Sequence, residues 1–359
     1  MAPPVKHIIE RIEPNPTPQV QTVCIDEDQA GQRLDNFLLR QLKGVPKTHV
    51  YRIIRSGEVR INKGRASADT RLAAGDTVRL PPVRVSERAE NKAQAMVELA
   101  SQATARTPVK QFALLHEDDH MLVVDKPAGV AVHGGSGVSF GVIEQLRMSR
   151  PQSKFLELVH RLDRETSGIL LVAKKRSALN KLQDQFRQRE TGKTYLALVL
   201  GAWPAKRKVL DKPLHKYVLT NADGTEGERR VKVVAKDDPD GMPSLTLVKV
   251  RATGGYAGQH YSLLEVTIKT GRTHQIRVHL AAEGMPIVGD DKYGNFEHNK
   301  QLARAPEGQG LKRMFLHAWQ FQCDHPATAE RMQLESPLPN ELAHFLQHIM
   351  PDACQIPEK

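Results

Sequence analysis

The stretch HRLDRETSG, residues 160–168, contains one aspartate between two arginines. Asp163 has Arg161 on one side and Arg164 on the other, and a Thr-Ser-Gly segment follows. Neighbouring positive charge favours the ionised form of a carboxylate, and a free aspartate can act as a nucleophile. Composition alone favours a structural salt bridge over catalysis at such a site. Apolar runs on both sides predict that Asp163 lies on a loop at a sheet edge.

A second candidate for chemistry is an arginine in TGRTHQIRVHLAAEGMP, residues 270–286. This stretch predicts a helix with Thr273 as its N-cap and Gly284 just after its end. Arg277 would then lie near a helix N-terminus, which favours anions. We interpret it as a partner for Asp163 or for a phosphate; the alternative is a surface arginine.

The other chemistry-bearing residues define no further class of enzyme. Tyr195, in KTYLALV, is either an ordinary strand residue or a flat surface on which a base can stack. The fifteen histidines show no HxH or HExxH spacing, which speaks against a catalytic metal. The sequence also lacks the GxxxxGK[ST] and GxGxxG motifs of nucleotide hydrolysis and dinucleotide binding.

The composition of the chain indicates a globular protein with an anionic partner. The chain has 359 residues, 40% of them hydrophobic, and a formal net charge of +11. Its cysteines, Cys24, Cys323 and Cys354, are far apart and form no CxxC pair, as expected in a reducing cytoplasm. The N-terminus has no apolar signal region. We expect a soluble, cytoplasmic protein.

Much of the positive charge falls within residues 31–82, which contain eleven Lys and Arg but four Asp and Glu. Apolar spacing predicts two amphipathic helices here, the second capped by Thr48 and ended by Gly57. Two short strands, EVRIN and DTVRL, follow. We favour contact with RNA or DNA over a merely solvated helix face. The candidate contacts are Arg33, Lys47, Arg52, Arg55, Arg60, Lys63 and Arg65.

The remaining pattern mixes strands and helices without a regular βαβ alternation. This predicts an α+β fold with a mixed, mostly antiparallel sheet, preceded by a small α+β domain. Residues 221–259, rich in Gly and acids, predict a loop-rich segment. The predicted organisation is a flexible tail at 1–22, a small basic domain suited to RNA binding at 23–83, a linker at 84–111, a larger domain at 112–350 and a tail at 351–359.

Five stretches together resemble a known family in their order along the chain. DKPAGVAVH, HRLDRETSG, KTYLALV, TGRTHQIRVHL and PIVGDDKYG are similar to the motifs of RluA-type RNA pseudouridine synthases. YRIIRSGEVRINKGR and GDTVRLPPVRV resemble an S4 RNA-binding domain. The resemblance extends over about residues 23–345. One departure is NKGR, where many S4 domains have an Asn-Gly turn.

The resemblance implies a role for each candidate residue. Asp163 matches the family's catalytic aspartate, Tyr195 its base-stacking tyrosine and Arg277 the arginine that pairs with the aspartate. The catalytic loop and pocket would be framed by His160, Arg161, Leu162, Arg164 and Ile276.

The implied reaction isomerises a uridine in RNA to pseudouridine after the base is flipped out of its stack. No cofactor and no metal would be needed, and the implied partner is 23S ribosomal RNA or a large-subunit precursor. We expect a monomer with no membrane association. The alternatives are the same chemistry on other ribosomal or transfer RNA uridines, a non-catalytic S4-type ribosome-assembly factor, and a metal-dependent hydrolase using His160 and Asp163.

Overall fold

The computed structural model describes residues 19–26, 29–42, 45–83, 111–134, 140–220, 226–306 and 308–351. The chain separates into two compact units, Met1–Pro108 and Val109–Lys359. Most of the predicted linker and most of both predicted tails lie outside the described residues. The domain boundaries given above therefore stay a prediction.

The first unit packs two short helices on a small antiparallel sheet. Its elements are β1 (Gln21–Cys24), α1 (Leu34–Gln41), α2 (Lys47–Arg55), β2 (Arg60–Ile61) and β3 (Thr77–Leu80), and the strand order is β1-β3-β2. The helices bury Phe37 and Leu38 of α1 and Val50 and Ile53 of α2, as their spacing predicts. Burying such side chains contributes about 2 kcal/mol each, so this small core drives the folding of the unit.

The helix ends were predicted correctly at one end of α2 and wrongly at the other. Gly57 follows the helix with φ +76°, as a residue just beyond a helix end does. Thr48 is not the N-cap, because the cap position is Pro46 and no side chain bonds there. The fixed φ of proline presets the chain direction at this point, so the helix begins one residue before the threonine.

The turn between β2 and β3 begins with two residues in the left-handed region. Asn62 has φ +49° and Lys63 has φ +69°, and the backbones of Ile61 and Gly64 bond each other across them. A turn with positive φ at both central residues favours Asn followed by Gly. Lys63 therefore occupies the position at which glycine would be favoured, and its backbone is strained.

The second unit is built on one large sheet. Its strands are β4 (Ala113–Glu117), β5 (Met121–Lys126), β6 (Glu157–Leu158), β7 (Ser167–Ala173), β8 (Gly192–Leu200), β9 (Val209–Asp211), β10 (Leu214–Thr220), β11 (Glu226–Val233), β12 (Leu245–Tyr256), β13 (Gln259–Ile268), β14 (Leu316–Asp324) and β15 (Arg331–Glu335). Its helices are α3 (Val142–Ser149), α4 (Arg176–Gln188), α5 (Gln275–Ala282), α6 (Phe296–Arg304) and α7 (Asn340–Ile349).

Strand pairing in this sheet is antiparallel except at its centre. The order is β4-β5-β7-β14-β8-β13-β12-β9, with β6 beside β7 and β15 beside β14. The β7–β14 pair is parallel, and β10 and β11 form a separate hairpin. The predicted α+β fold with a mostly antiparallel sheet is confirmed.

Helices cover both faces of the sheet, which explains the continuous apolar run in β5. Met121 and Val123 pack with Leu182 of α4, whereas Leu122 and Val124 pack in a second cluster with Ile143 of α3. Because successive residues of a strand point to opposite faces, every position of the run is buried.

The prediction of a loop-rich segment at residues 221–259 is wrong for most of its described part. Two strands, β11 and β12, occupy residues 226–233 and 245–256. Glycines and acidic residues are depleted in strands, so the sequence pattern does not show that β11 pairs with β10 and β12 with β13. Residues 221–225 of this segment lie outside the described part of the chain.

Candidate active site

Asp163 lies on a loop, as predicted, and this loop connects β6 to β7, a strand in the interior of the sheet. The amide of Thr166 donates to the carbonyl oxygen of Asp163 at 3.1 Å and closes a tight turn. Gly168 has φ +106°, and a Cβ atom there would lie 2.3 Å from the carbonyl oxygen of Ala318. Only glycine therefore fits where the loop enters β7 beside β14.

A buried lysine ties this loop to the turn after β5. The Nζ atom of Lys126 donates to the carbonyl oxygens of Pro127 and Val130, both at 2.8 Å, and of Arg164 at 3.0 Å. Its side chain is fully buried, and burial lowers the pKa of Lys126 to about 7. Three acceptors around one ammonium group fix the backbone next to Asp163.

The two arginines beside Asp163 in sequence are not its ion-pair partners. Arg164 bonds Glu165 at 2.7 Å, and Arg161 is exposed at the mouth of the site. The cationic partner of Asp163 therefore comes from elsewhere in the chain. Neighbours along an extended loop point in different directions, so sequence adjacency does not produce contact.

Arg277 supplies the cation, with its Nη1 atom 3.4 Å from Oδ2 of Asp163. Its main partner is nevertheless Asp290, which accepts from Nε and Nη2 at 2.7 Å each, and Nη2 also bonds Asp291 at 2.9 Å. Burial alone would lower the pKa of Arg277. The hydrogen bonds and the negative charge of Asp290 outweigh this effect, and the pKa is raised above its ordinary value. Arg277 is thus a rigid, permanently charged group with one nitrogen left for Asp163.

Arg277 is the third residue of α5, near the helix N-terminus as predicted. Thr273 is not the N-cap, because the cap is His274 with φ +52° and no side-chain bond. Gly284 follows the helix end with φ +77°, as predicted. His274, with its left-handed backbone, lies close to Asp163. The helix signals in the sequence do not indicate a left-handed residue at this position.

His274 forms a short relay between the aspartate and a tyrosine. Its Nε2 atom lies 3.8 Å from Oδ2 of Asp163, and its Nδ1 atom lies 2.9 Å from the hydroxyl of Tyr293. That hydroxyl also accepts the amide hydrogen of Val231 at 3.1 Å. If the Tyr293 hydroxyl donates to Nδ1, the ring hydrogen of neutral His274 lies on Nε2 and faces the carboxylate of Asp163. No nitrogen lone pair then points at that carboxylate. Burial lowers the pKa of His274, so the neutral ring is favoured.

Tyr195 lies on β8, where it pairs with Val266 of β13 and Ala318 of β14. Burial, and then the charge of Asp163, raise the pKa of the Tyr195 phenol, so the ring stays neutral. A neutral aromatic ring held on a central strand is a rigid surface for stacking.

These residues share one cavity. Asp163, Tyr195 and Arg277 line a space of about 230 Å³, and the Asp163 side chain is 21% exposed. A wider space of about 520 Å³ adjoins it and is also lined by Asp163 and Arg277. A carboxylate open to a cavity between an arginine and an aromatic ring can reach a ligand that enters it.

The remaining predicted pocket residues line these cavities, although His160 uses a ring nitrogen to bond the backbone. Arg161, Leu162 and Ile276 line the smaller cavity, and Arg164 lines the wider one. His160 also lines the smaller cavity, but its Nε2 atom accepts the amide hydrogen of Leu171 at 3.2 Å. Burial lowers the pKa of His160 to about 4, so it is a neutral structural group and not a proton donor.

Sequence reasoning missed Asp290, Tyr293 and Lys193 as functional candidates. Two of them lie in PIVGDDKYG, whose residues were matched to a motif without a role. A fully buried aspartate is rare without a partner, but that burial becomes visible only in the structure. Lys193 shares its strand with Tyr195 and is buried in the cavity wall.

The predicted RNA contacts of the first unit are mostly exposed. Lys47, Arg52, Arg55, Lys63 and Arg65 are exposed, and Arg60 is half-buried. Arg52 and Arg55 lie opposite the buried Ile53 and Ile54, as the spacing predicts. Arg33 differs, because its guanidinium bonds the buried carboxylate of Asp35 at 2.8 Å. Its charge is partly neutralised within the unit.

One group of described residues has spacing suited to a metal ion. His215, Asp238 and Asp240 bring three ligand atoms within 4.8 Å of one another, and none of them lines the cavities around Asp163. Among the helices of the described ranges, none combines the length and apolar character needed to cross a membrane.

Comparison with known proteins confirms the resemblance. The RNA pseudouridylate synthase family matches residues 120–282, and the S4 domain matches residues 32–78. A ribosomal large subunit pseudouridine synthase C from Salmonella typhimurium is 51% identical over 331 residues, covering 92% of this chain and 97% of that protein. The Escherichia coli K12 protein of the same name is 50% identical, covering 93% and 98%.

A solved structure supports the same conclusion. Human RNA Pseudouridylate Synthase Domain Containing 1 superposes with a TM-score of 0.51 and 29% identity, covering 65% of this chain and 86% of that one. Half of the residues are shared with the two bacterial relatives along nearly the whole length. The chain belongs to the family of RNA pseudouridylate synthases.

Proposed function

We propose that this enzyme isomerises specific uridines of large-subunit ribosomal RNA to pseudouridine, with Asp163 as the catalytic residue. The observation that carries the proposal is the carboxylate of Asp163, open to a cavity between Arg277 and Tyr195. The names of the bacterial relatives support the ribosomal substrate. We further propose that the enzyme acts in the cytoplasm, as a monomer, without a metal or cofactor.

The reaction rearranges one nucleoside. The N1–C1′ bond breaks, the uracil turns, and a C5–C1′ bond forms; a proton leaves C5 and N1 gains a proton. Asp163 must reach the sugar or the base, so the nucleotide has to leave its stack at a cost of a few kcal/mol. Stacking on Tyr195 returns about 1–3 kcal/mol. The carboxylate lies beside the guanidinium of Arg277 and is open to the reacting nucleoside.

The basic first unit supplies affinity for the RNA as a whole. Its exposed cations surround α2 and the β2–β3 turn and suit the phosphate backbone. Phosphate contacts of this kind position a protein on RNA without reading its sequence.

Mapping pseudouridine in ribosomal RNA from cells with and without the gene tests the proposal. We expect a few uridines of the large-subunit RNA to stay unmodified without the protein and to be modified again by the purified enzyme. If ribosomal RNA is unchanged and pseudouridines are missing from transfer RNA, the substrate is transfer RNA instead of ribosomal RNA. Unchanged RNA of both kinds, together with a ribosome-assembly defect, would instead support a non-catalytic binding factor.

A further inference from the structure

A third cavity, of about 200 Å³, adjoins the catalytic cavity and has a cationic lining. The two spaces share Phe186, Lys193, Gly271 and Arg272. Among the described residues, every charged side chain that lines it is positive: Arg187, Arg189, Lys193, Lys269 and Arg272. We call this space the cationic pocket. Five cations around one small space repel one another unless an anion lies between them.

Lys193 is the least ordinary of these cations. Its side chain comes from β8, two residues before Tyr195, and only 9% of the residue is exposed. Within the described part of the chain its ammonium has no hydrogen bond and no carboxylate partner; it lies 5.1 Å from the ring centroid of Phe186. Burial, and then the charges of Lys269 and Arg189, lower the pKa of Lys193. A buried cation without a carboxylate costs stability, so its presence calls for a ligand.

Local structure accounts for part of this charge but not for all of it. Arg187 and Arg189 lie at the C-terminus of α4, where the helix dipole favours cations, and Arg187 also pairs with Asp184. Lys193 and Lys269 come instead from β8 and from the residue after β13. No helix end explains these two lysines.

We propose that the cationic pocket binds a phosphodiester of the RNA strand, directly next to the uridine that enters the catalytic cavity. This inference rests on the proposed function. A nucleotide that reaches Asp163 has a phosphate on each side, and the pocket shares its wall with the catalytic cavity. One phosphate held by Lys193 and its neighbours would fix the position of the flipped nucleotide along the strand.

The first test is Lys193→Met in the full-length enzyme, with an RNA fragment that the wild type modifies. Methionine keeps most of the apolar stem but has no charge. We expect affinity for the RNA to fall about tenfold, since a bond to a charged group is lost. The slope of log affinity against log salt should become shallower by about 0.7, the value for one single-strand phosphate. The melting temperature should stay the same or rise, because an unpaired buried cation is removed.

Lys181→Gln is the matched control, because Lys181 is exposed on α4 but does not line the cationic pocket. It should leave affinity and salt slope unchanged. A purely structural Lys193 would give the opposite pattern in the Lys193→Met protein: a lower melting temperature with unchanged affinity and salt slope. That result would overturn the proposal.

The second test places one uncharged methylphosphonate linkage 5′ or 3′ of the target uridine. The comparison RNA has an ordinary phosphate and the same sugar modification at that linkage. We expect one of the two linkages to weaken wild-type binding about tenfold and to have little effect on Lys193→Met binding, as in a double-mutant cycle. Equal effects on both proteins at both linkages would contradict the inference. A wild-type enzyme that forms no pseudouridine would instead contradict the proposed function.

Discussion

At the scale of single residues, the site depends on how loosely Asp163 is paired with Arg277. Arg277 uses two nitrogens on the buried Asp290 and offers Nη1 to Asp163 at the longer distance of 3.4 Å. The carboxylate that we propose as catalytic is thus near a fixed positive charge without being locked to it. A carboxylate in a tight bidentate pair would have to break that pair before it could reach a substrate.

The relay from Tyr293 to His274 gives a prediction at the same scale. Tyr293→Phe removes the hydroxyl that bonds Nδ1 of His274, so the ring hydrogen is free to move to Nδ1. A lone pair would then face Asp163. We expect pseudouridine formation to slow about tenfold with RNA affinity within twofold of wild type, as when an interaction of the transition state is lost.

The pH profile separates this positioning role from a structural one. The defect of Tyr293→Phe should be larger at pH 8 than at pH 5. Burial lowers the pKa of His274, so the ring gains a proton, and with it a hydrogen on Nε2, only below the ordinary histidine range. Tyr256→Phe is the matched control, since Tyr256 also lies against a histidine. Its ring centroid is 4.5 Å from that of His348, and neither residue lines the cavities around Asp163. A defect of equal size at both pH values would contradict the relay.

At the scale of elements, the local sequence patterns predicted several helices and two of the helix ends. Apolar spacing located α1 and α2, start and stop signals located α5, and Gly57 and Gly284 marked two helix ends. The N-caps at Thr48 and Thr273 were wrong because Pro46 and the left-handed His274 set the chain direction there. Backbone conformation at a cap depends on the segment that enters it, and that segment is placed by tertiary packing.

The strained Lys63 gives a prediction for the β2–β3 turn. Lys63→Gly should raise the stability of the turn by about 1 kcal/mol, because glycine adopts positive φ without strain. The same change should weaken RNA binding, because an exposed cation is lost. Hydrogen exchange of the β2 and β3 amides in the full-length protein measures the first effect, and RNA titration measures the second.

Lys63→Gln separates the two effects, because it removes the charge and keeps the strained backbone. We expect it to weaken RNA binding as much as Lys63→Gly does, without slowing hydrogen exchange in β2 and β3. Unchanged binding in both variants would remove Lys63 from the proposed RNA contacts.

At the scale of the whole molecule, the pairs that make the site join distant segments. Asp163 and Arg277 are 114 positions apart, and no sequence spacing shows that they meet. The family resemblance brought them together, whereas the residues alone left a surface arginine as an alternative. Asp290 was missed for the same reason: its burial comes from packing of the segment between β13 and α6 against the sheet, which the local sequence does not encode.

Several buried histidines give a prediction for the stability of the second unit. Burial lowers the pKa of His160 and of His317 to about 4, below the value near 6.5 in the unfolded chain. Between pH 6.5 and pH 4 the unfolded state therefore binds more protons, and stability falls as the pH falls. Each group contributes about 3 kcal/mol that is present above pH 6.5 and lost by pH 4.

Urea unfolding followed by tryptophan fluorescence at pH 7 and pH 5 measures this loss. Both tryptophans, Trp203 and Trp319, belong to the second unit, so the signal reports on it. His317→Gln should reduce the difference between the two pH values, whereas the exposed His344→Gln should not. A difference unaffected by His317→Gln would show that His317 is not responsible.

The most direct measurement compares Asp163→Asn with the wild-type enzyme on a large-subunit RNA fragment that the wild type modifies. We expect pseudouridine formation to fall by about a thousandfold or more, because asparagine has no negative charge to offer the nucleoside. RNA affinity should stay within about threefold of wild type, since the cations that hold the backbone remain. An Asp163→Asn protein that forms pseudouridine at the wild-type rate would contradict the role assigned to this carboxylate.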